Sequence, residues 1–401
     1  MDAAERLGIY ISVPFCRSKC TYCNFASGVY PASEHGRYVE RLIADMRGAE
    51  AWAAQIGVEL PRQVDTIYLG GGTPSLLEPE LIARLFAVLR DEFAVDADAE
   101  ITVECAPGQM GDAALAAMAA AGVNRVSLGV QSFIDWEAQV SGRLHSRAVV
   151  EDDLRRLRAT GIGNVNIDLI AGLAGQTFDS WRTSLGALAA CDAPHASVYM
   201  LEVDEDSRLG REMLAGGARY HAELVPNDDA IARMYEMAIE ALEAVGLAQY
   251  EISNFAHAGA ESRHNLRYWQ RRPYLGLGLD ASSALRTAEM ANDGMRALLR
   301  ATTTDDLKAY LVGDAAHECT WQDADRQREE AWFLGLRTNA GVELAALARE
   351  FGATAVEAAE PVVDRLVEDG LVKAEDGRVR LTARGRLLSN DVFQAFLGVA
   401  A

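Results

Sequence analysis

Six short β-rich runs punctuate the first half of the chain, each followed by a helical stretch. They are GIYISV (8–13), DTIYLG (65–70), EITVE (100–104), RVSLGV (125–130), NVNIDLI (164–170) and SVYML (197–201). Between them lie apolar-periodic segments such as ELIARLFAVLRDEF (80–93) and DAALAAMAAAG (112–122), the latter ending on Gly122 as a C-cap. Strictly alternating strands and helices imply right-handed β-α-β units around a parallel sheet. The chemically unusual residues cluster just after the strands: a cysteine loop, GGGTPS, ECAPG, QSF and AGLAGQ. A doubly wound sheet concentrates its ligands at one switch point, whereas a barrel builds its site from many strand-end loops. Six strands with five decorated ends therefore predict a partial (β/α)6 barrel of the TIM type over residues 1–205.

The second half reads differently. PNDDAIARMYEMAIEALEAVG (226–246) is a long amphipathic helix, followed by an aromatic and polar stretch. From about residue 320 come three helices and LVKA-EDGR-VRLT, whose Asp-Gly pair between two β-runs marks a hairpin. This pattern predicts an α+β extension over 206–317 and a winged-helix-like module over 318–401. Residues 326–401 hold 10 Lys/Arg against 12 Asp/Glu, which favours a packing role over DNA recognition. The formal charge of −21 also argues against sequence-independent binding of nucleic acid, which needs clustered cations. The N-terminus carries early acids and only a short apolar run, so no secretory leader is expected, and no uninterrupted apolar run is long enough to span a membrane. Three cysteines in one loop and three scattered ones do not form a disulfide framework, so a reducing cytoplasm is expected.

Cys16, Cys20 and Cys23 sit in PFCRSKCTYCNF, spaced C-x3-C-x2-C. Thiolates are the usual ligands of iron–sulfur clusters, and three of them on a cubane of four irons leave one iron open. A zinc site of three cysteines completed by a distant histidine is the bland alternative. The loop's place at the end of the first strand argues against it.

This spacing, with Tyr22 before the last cysteine, resembles the radical S-adenosylmethionine (SAM) superfamily. YISVPFC, LGGGTPS, GVQSF, SGRLH, IDLIAGLAGQT, YEISNFA and SRHNLRYW together resemble the coproporphyrinogen-dehydrogenase-like group, and within it the HemW haem chaperone family. The resemblance implies a [4Fe–4S] cluster on Cys16, Cys20 and Cys23, with SAM on the open iron. It implies SAM contacts from Tyr10, from Gly71, Gly72 and Thr73 at the methionine end, and from Glu104 at the ammonium. Arg143 would meet the carboxylate, and Gln131 and Asp168 the ribose. Cys105, Cys191 and Cys319 are read as uninvolved thiols.

Two departures bear on activity. Phe25 stands where the oxygen-independent coproporphyrinogen III oxidase carries a further cysteine, and Ser12 stands where it has a histidine. Both count against decarboxylation, and because the chaperone branch normally keeps that histidine, Ser12 departs from the chaperone pattern too. His264, Asn265, Tyr268 and Trp269 match the HNxxYW motif associated with the chaperone branch. His264 is therefore expected as an axial haem ligand, with Arg263, Arg267, Arg271 and Arg272 near the propionates. The stretch LDASS (279–283) lacks the histidine usual there. The expected cargo is haem. The expected partners are a haem-accepting apoprotein, membrane-associated in one version, and an electron donor such as a flavodoxin or ferredoxin. The alternatives are an oxygen-independent coproporphyrinogen oxidase-like enzyme and a radical SAM methylase or cyclopropanase.

Overall fold

The computed structural model describes residues 5–289, 295–313 and 317–399. All six expected strands form: β1 (Leu7–Val13), β2 (Gln63–Gly71), β3 (Ala94–Cys105), β4 (Arg125–Gln131), β5 (Asn164–Ala171) and β6 (His195–Met200). Each pairs in parallel with the next, in sequence order. Most of their residues are buried, in β1 almost without a break, because helices cover the outside and other strands face the inside, while the first five residues of β3 are exposed or half-buried. The longest cover is the helix Ser33–Ile56, which stops at Gly57 in the left-handed conformation (φ 79°). The helix Phe178–Ala190 starts on a capping box between Thr177 and Ser180. Trp181, fully buried, ties that helix to the next layer by donating its indole N–H to the Met234 carbonyl at 2.7 Å.

Strands of the second half extend this sheet at both edges. β7 (Ala248–Gln249) and β8 (Asn254–Ala256) lie antiparallel beyond β6. β9 (Tyr274–Leu277) runs parallel to β1, followed by β10 (Ser282–Arg286), β11 (Leu298–Thr302) and β12 (Glu318–Gln322). The sheet therefore has twelve strands in the order 12-11-10-9-1-2-3-4-5-6-8-7 and stays open, since β1 and β6 do not pair. Residues 318–322, read from the sequence as the start of the last module, belong to this sheet through their pairing with β11.

The C-terminal module has its own core, where Trp332 stacks on Phe396 at 4.4 Å. Its hairpin, β14 (Val372–Glu375) and β15 (Arg378–Leu381), turns on Asp376 and Gly377, both at positive φ (52° and 71°). A short strand, β13 (Val342–Glu343), completes the wing. Among the described residues no helix is long and apolar enough to cross a membrane.

Candidate functional site

The C-terminal ends of β1 to β6 open into a cavity of about 970 Å³. Cys16, Cys20 and Cys23 line one wall, with Gly71, Gly72 and Thr73, Glu104, Gln131, Arg143 and Asp168 around them. Ten of the twelve expected site residues therefore share one space. Tyr10 and His264 are not on its surface.

The cysteine loop is anchored at several points. Cys16 N–H donates to the Gly28 carbonyl at 2.9 Å, and Thr21 N–H to the Ser141 carbonyl at 3.0 Å. Lys19 donates its ammonium to the Ser27 carbonyl at 2.9 Å. Thr73 Oγ1 lies 4.0 Å from Cys16 Sγ, and Arg143 Nη1 lies 3.5 Å from Cys20 Sγ. Burial, first, pushes the Cys16 thiol up. All six cysteines are free. Among the described residues no three His, Cys, Asp or Glu side chains converge as a finished metal cage. The three thiols share a loop and a cavity wall without meeting at one point. Cys105 is buried with its thiol pushed up to about 12, Cys191 is buried, and Cys319 is exposed on β12.

The glycine run is dictated by close approach. A Cβ on Gly72 would lie 2.6 Å from the Val13 carbonyl oxygen, so no larger residue fits between β2 and the cysteine loop. Gly71, at φ 94°, turns its N–H to Glu104 Oε2 at 3.1 Å. Glu104 Oε1 accepts from the Tyr68 hydroxyl at 2.9 Å. Burial pushes the Glu104 carboxyl up to about 7, with Asp168 adding to the shift. Asp168 is also raised by burial, and it accepts from Asn166 at 2.6 Å and Ser127 at 3.1 Å.

Gln131 ends β4 at φ 69°, an uncommon conformation for a residue with a side chain. Its buried Oε1 has no hydrogen-bond partner among the described residues. A strained residue with an orphaned acceptor facing a cavity fits a site waiting for a ligand donor. Arg143 is held by the Gly129 carbonyl, which aims its remaining N–H groups into the same space. Tyr10 lies behind this wall, stacked on Tyr68 with ring centroids 6.1 Å apart.

His264 departs from expectation. It is 1% exposed on the helix Arg263–Trp269. Nδ1 is bonded to Thr66 Oγ1 and Nε2 to the Tyr268 hydroxyl, both at 2.9 Å. Burial, then Arg267 and Arg125, push its pKa down to about 3, so the ring is neutral and both nitrogens are engaged. No nitrogen is left for iron. Its arginine neighbours are committed as well. Arg267 is fully buried against Asp65 and the Arg6 and Pro273 carbonyls, and Arg272 meets Asp65 at 3.0 Å. Arg271 pairs with Glu350, and Trp269 packs 4.4 Å from the Arg337 guanidinium. The HNxxYW segment thus staples β2, the barrel and the C-terminal module together. A polar motif looks exposed in sequence, and only long-range partners such as Thr66 and Asp65 reveal it as core.

Sequence reasoning also missed contributors to the cavity. Tyr68 and Ser127 reach it from inside the barrel, Tyr199 from β6 and Arg337 from the far module. Leu387, Leu388, Ser389, Asn390 and Asp391 of the C-terminal module form part of the wall. Only Tyr68 and Ser127 carried a signal, through their inward positions on β2 and β4.

Residues 10–188 match the family model of the radical SAM superfamily, and residues 322–388 match that of the HemN C-terminal domain. The chain is 35% identical over 395 residues to the haem chaperone HemW of Bacillus subtilis, covering 97% of this chain and 98% of that one. It is 29% identical to the protein of the same name in Escherichia coli, covering 98% of each. The fold is that of coproporphyrinogen III oxidase (HemN) from Escherichia coli, described as a radical SAM enzyme. That likeness has a TM-score of 0.81 at 24% identity, over 99% of this chain and 91% of that one. With full-length identity to its relatives and the cysteine loop at the mouth of the barrel, the chain belongs to the HemW haem chaperone family of radical SAM proteins.

Proposed function

We propose that this chain is a haem carrier built on a cofactor-binding radical SAM barrel, handing haem to an acceptor protein. The observation that carries the cofactor half is the cavity itself. Three free cysteines, a glycine cradle and the orphaned Gln131 acceptor line one space, whose size suits a cofactor. Cys16, Cys20 and Cys23 would hold a [4Fe–4S] cluster. Gly71, Gly72 and Thr73 would receive the methionine end of SAM, Glu104 its ammonium, Arg143 its carboxylate, and Gln131 and Asp168 its ribose. When bound and reduced, such a cluster supplies an electron to the SAM sulfonium. Tyr10 acts from behind, holding Tyr68 in place.

Glu104 is the residue with most to do. With its carboxyl raised to about 7, it is protonated below that pH and must then give up its proton to meet an ammonium, and Tyr68 and Gly71 keep the carboxylate oriented. Arg143 bridges the Cys20 thiol and the space beside Gly129, so it couples the two binding halves. The carrier half is supported by the names of the relatives and by two positions. Phe25 is 62% exposed at the cavity edge with no thiol to offer. Ser12 is buried beside Gly71 and Tyr10 and offers only a hydroxyl where the decarboxylase has an imidazole. Incubation with SAM, reductant and coproporphyrinogen III should give no decarboxylated product, and haem should bind at about one per chain. Decarboxylation at catalytic turnover would replace this reading with that of a porphyrinogen-oxidising enzyme.

A further inference from the structure

We propose that haem docks on the outer face of the segment covering the cysteine loop, with His221 as its axial ligand; this rests on the haem-carrier reading above. Of the histidines among the described residues, only His221 is exposed. His195 and His264 spend both ring nitrogens on protein partners, His35 is buried, and His257 is only half-exposed with Nδ1 on the Gly246 carbonyl. His145 is buried, and His317 packs on Trp52. Neither ring nitrogen of His221 has a hydrogen-bond partner among the described residues. An imidazole with a free nitrogen open to solvent is what haem iron requires of a protein ligand.

The backbone holds His221 there. Tyr220 and His221 both adopt the left-handed conformation (φ 59° and 54°), rare for consecutive residues with side chains. The double turn sends the Tyr220 ring inward against the cluster of Leu209, Ala222 and Tyr22, and leaves the His221 ring outside. Strain of this kind persists where the fold over-determines it, and it recurs at ligand sites.

The surroundings suit a porphyrin. Trp136, 45% exposed, lies 5.6 Å from the His221 ring. It rests on Gly175, where any Cβ would collide with the indole. Gly175 N–H in turn donates to the Leu224 carbonyl at 2.8 Å, which places Leu224 beside the same patch. Leu224 is 45% exposed, and Leu214, on the preceding helix Arg208–Leu214, is 69% exposed. An indole and leucine side chains beside a free imidazole offer a planar apolar ligand both a face and a metal bond. Arg211 and Arg219 are exposed and make no ion pair among the described residues, so they are free to meet propionates. A cargo that must be passed on is better held at such an open face than inside the barrel.

The same segment touches the cysteine loop. Leu209 N–H donates to the Thr21 carbonyl at 2.9 Å, and Asn24 donates to Asp204 at 2.9 Å. Haem on the outside would thus lie one layer from the proposed cluster.

The test uses the full chain with its cluster reconstituted and haemin as the probe, read by difference spectra in the Soret region. Metal-free protoporphyrin is the control. His221→Asn keeps a residue that tolerates the left-handed backbone. It should weaken haemin binding at least tenfold, leave protoporphyrin binding within about twofold, and regain the ligated spectrum on adding imidazole. His257→Ala should bind haemin as the wild type does. An unchanged haemin spectrum and affinity in His221→Asn would overturn this site while leaving the carrier reading intact. A wild-type protein that binds no haemin would overturn both.

Discussion

If Glu104 receives the SAM ammonium, SAM affinity must depend on pH in a way the structure specifies. Burial lifts this carboxyl from an ordinary 4.5 to about 7 in the SAM-free protein. An ammonium beside it favours the charged form, so binding lowers the pKa and expels a proton below about pH 7. Affinity then falls about tenfold for each pH unit below 7, about 1.4 kcal/mol per unit, and levels off above it until the SAM α-amino group loses its own proton near about pH 8. Glu104→Gln removes both the titration and the charge-assisted contact. Loss of such a contact costs about 1.5–3 kcal/mol, or roughly tenfold to a hundredfold in Kd at pH 8. Calorimetry from pH 5.5 to 8.5, in buffers of different ionisation enthalpy, reads both the slope and the released proton. His145 does not confuse this window, because burial pushes it down to about 4. The same shift has a stability signature. A carboxyl whose folded pKa is raised binds more protons when folded than unfolded between about pH 4.5 and 7, so it lowers stability as pH rises through that range. The contribution is about 3 kcal/mol, and it should vanish from the pH profile of Glu104→Gln. A flat wild-type SAM profile, or a slope kept in the variant, would refute the assignment.

Three further outcomes follow from the geometry. Cys20→Ser should fail to assemble the roughly four irons per chain of a cubane cluster, while Cys191→Ser, with its thiol buried behind the barrel, should assemble them fully; iron and sulfide analysis separates the two. His264→Ala should destabilise the fold by about 2–4 kcal/mol, because it opens a cavity and strips the Tyr268 hydroxyl of its partner. Its haem spectrum should be unaltered, and a lost Soret band at wild-type stability would return this histidine to the ligand role. Gly72→Ala should push the loop off the Val13 carbonyl and weaken SAM binding at least tenfold, a result checked by the same calorimetry and contradicted by wild-type affinity.

The barrel and much of its mouth were legible in the sequence because the relevant signals are local. A β-rich run followed at once by CRSKCTYC or GGGTPS states both the element and the end of it that carries chemistry. Pairings between distant segments were not legible. Nothing in YLGL announces that β9 runs parallel to β1, since its partners in GIYI lie at the other end of the chain. The same limit misled the reading of His264. Its polar neighbours suggested an exposed binding loop, but the Asp65 carboxylate and the Thr66 hydroxyl that absorb them come from β2. His221 had no motif to mark it, and only the backbone conformation and the position of Trp136 set it apart. The wall formed by residues 387–391 depends on how the C-terminal module docks, which no local pattern encodes.

The central claim, a haem carrier on a cofactor-binding barrel, is tested most directly by one anaerobic incubation. The reconstituted protein is given SAM, reductant, haemin and coproporphyrinogen III, and bound haem and released carbon dioxide are measured together. The account predicts about one haem retained per chain and no carbon dioxide above the protein-free control. Carbon dioxide released over many turnovers, with haemin left free in solution, would contradict it.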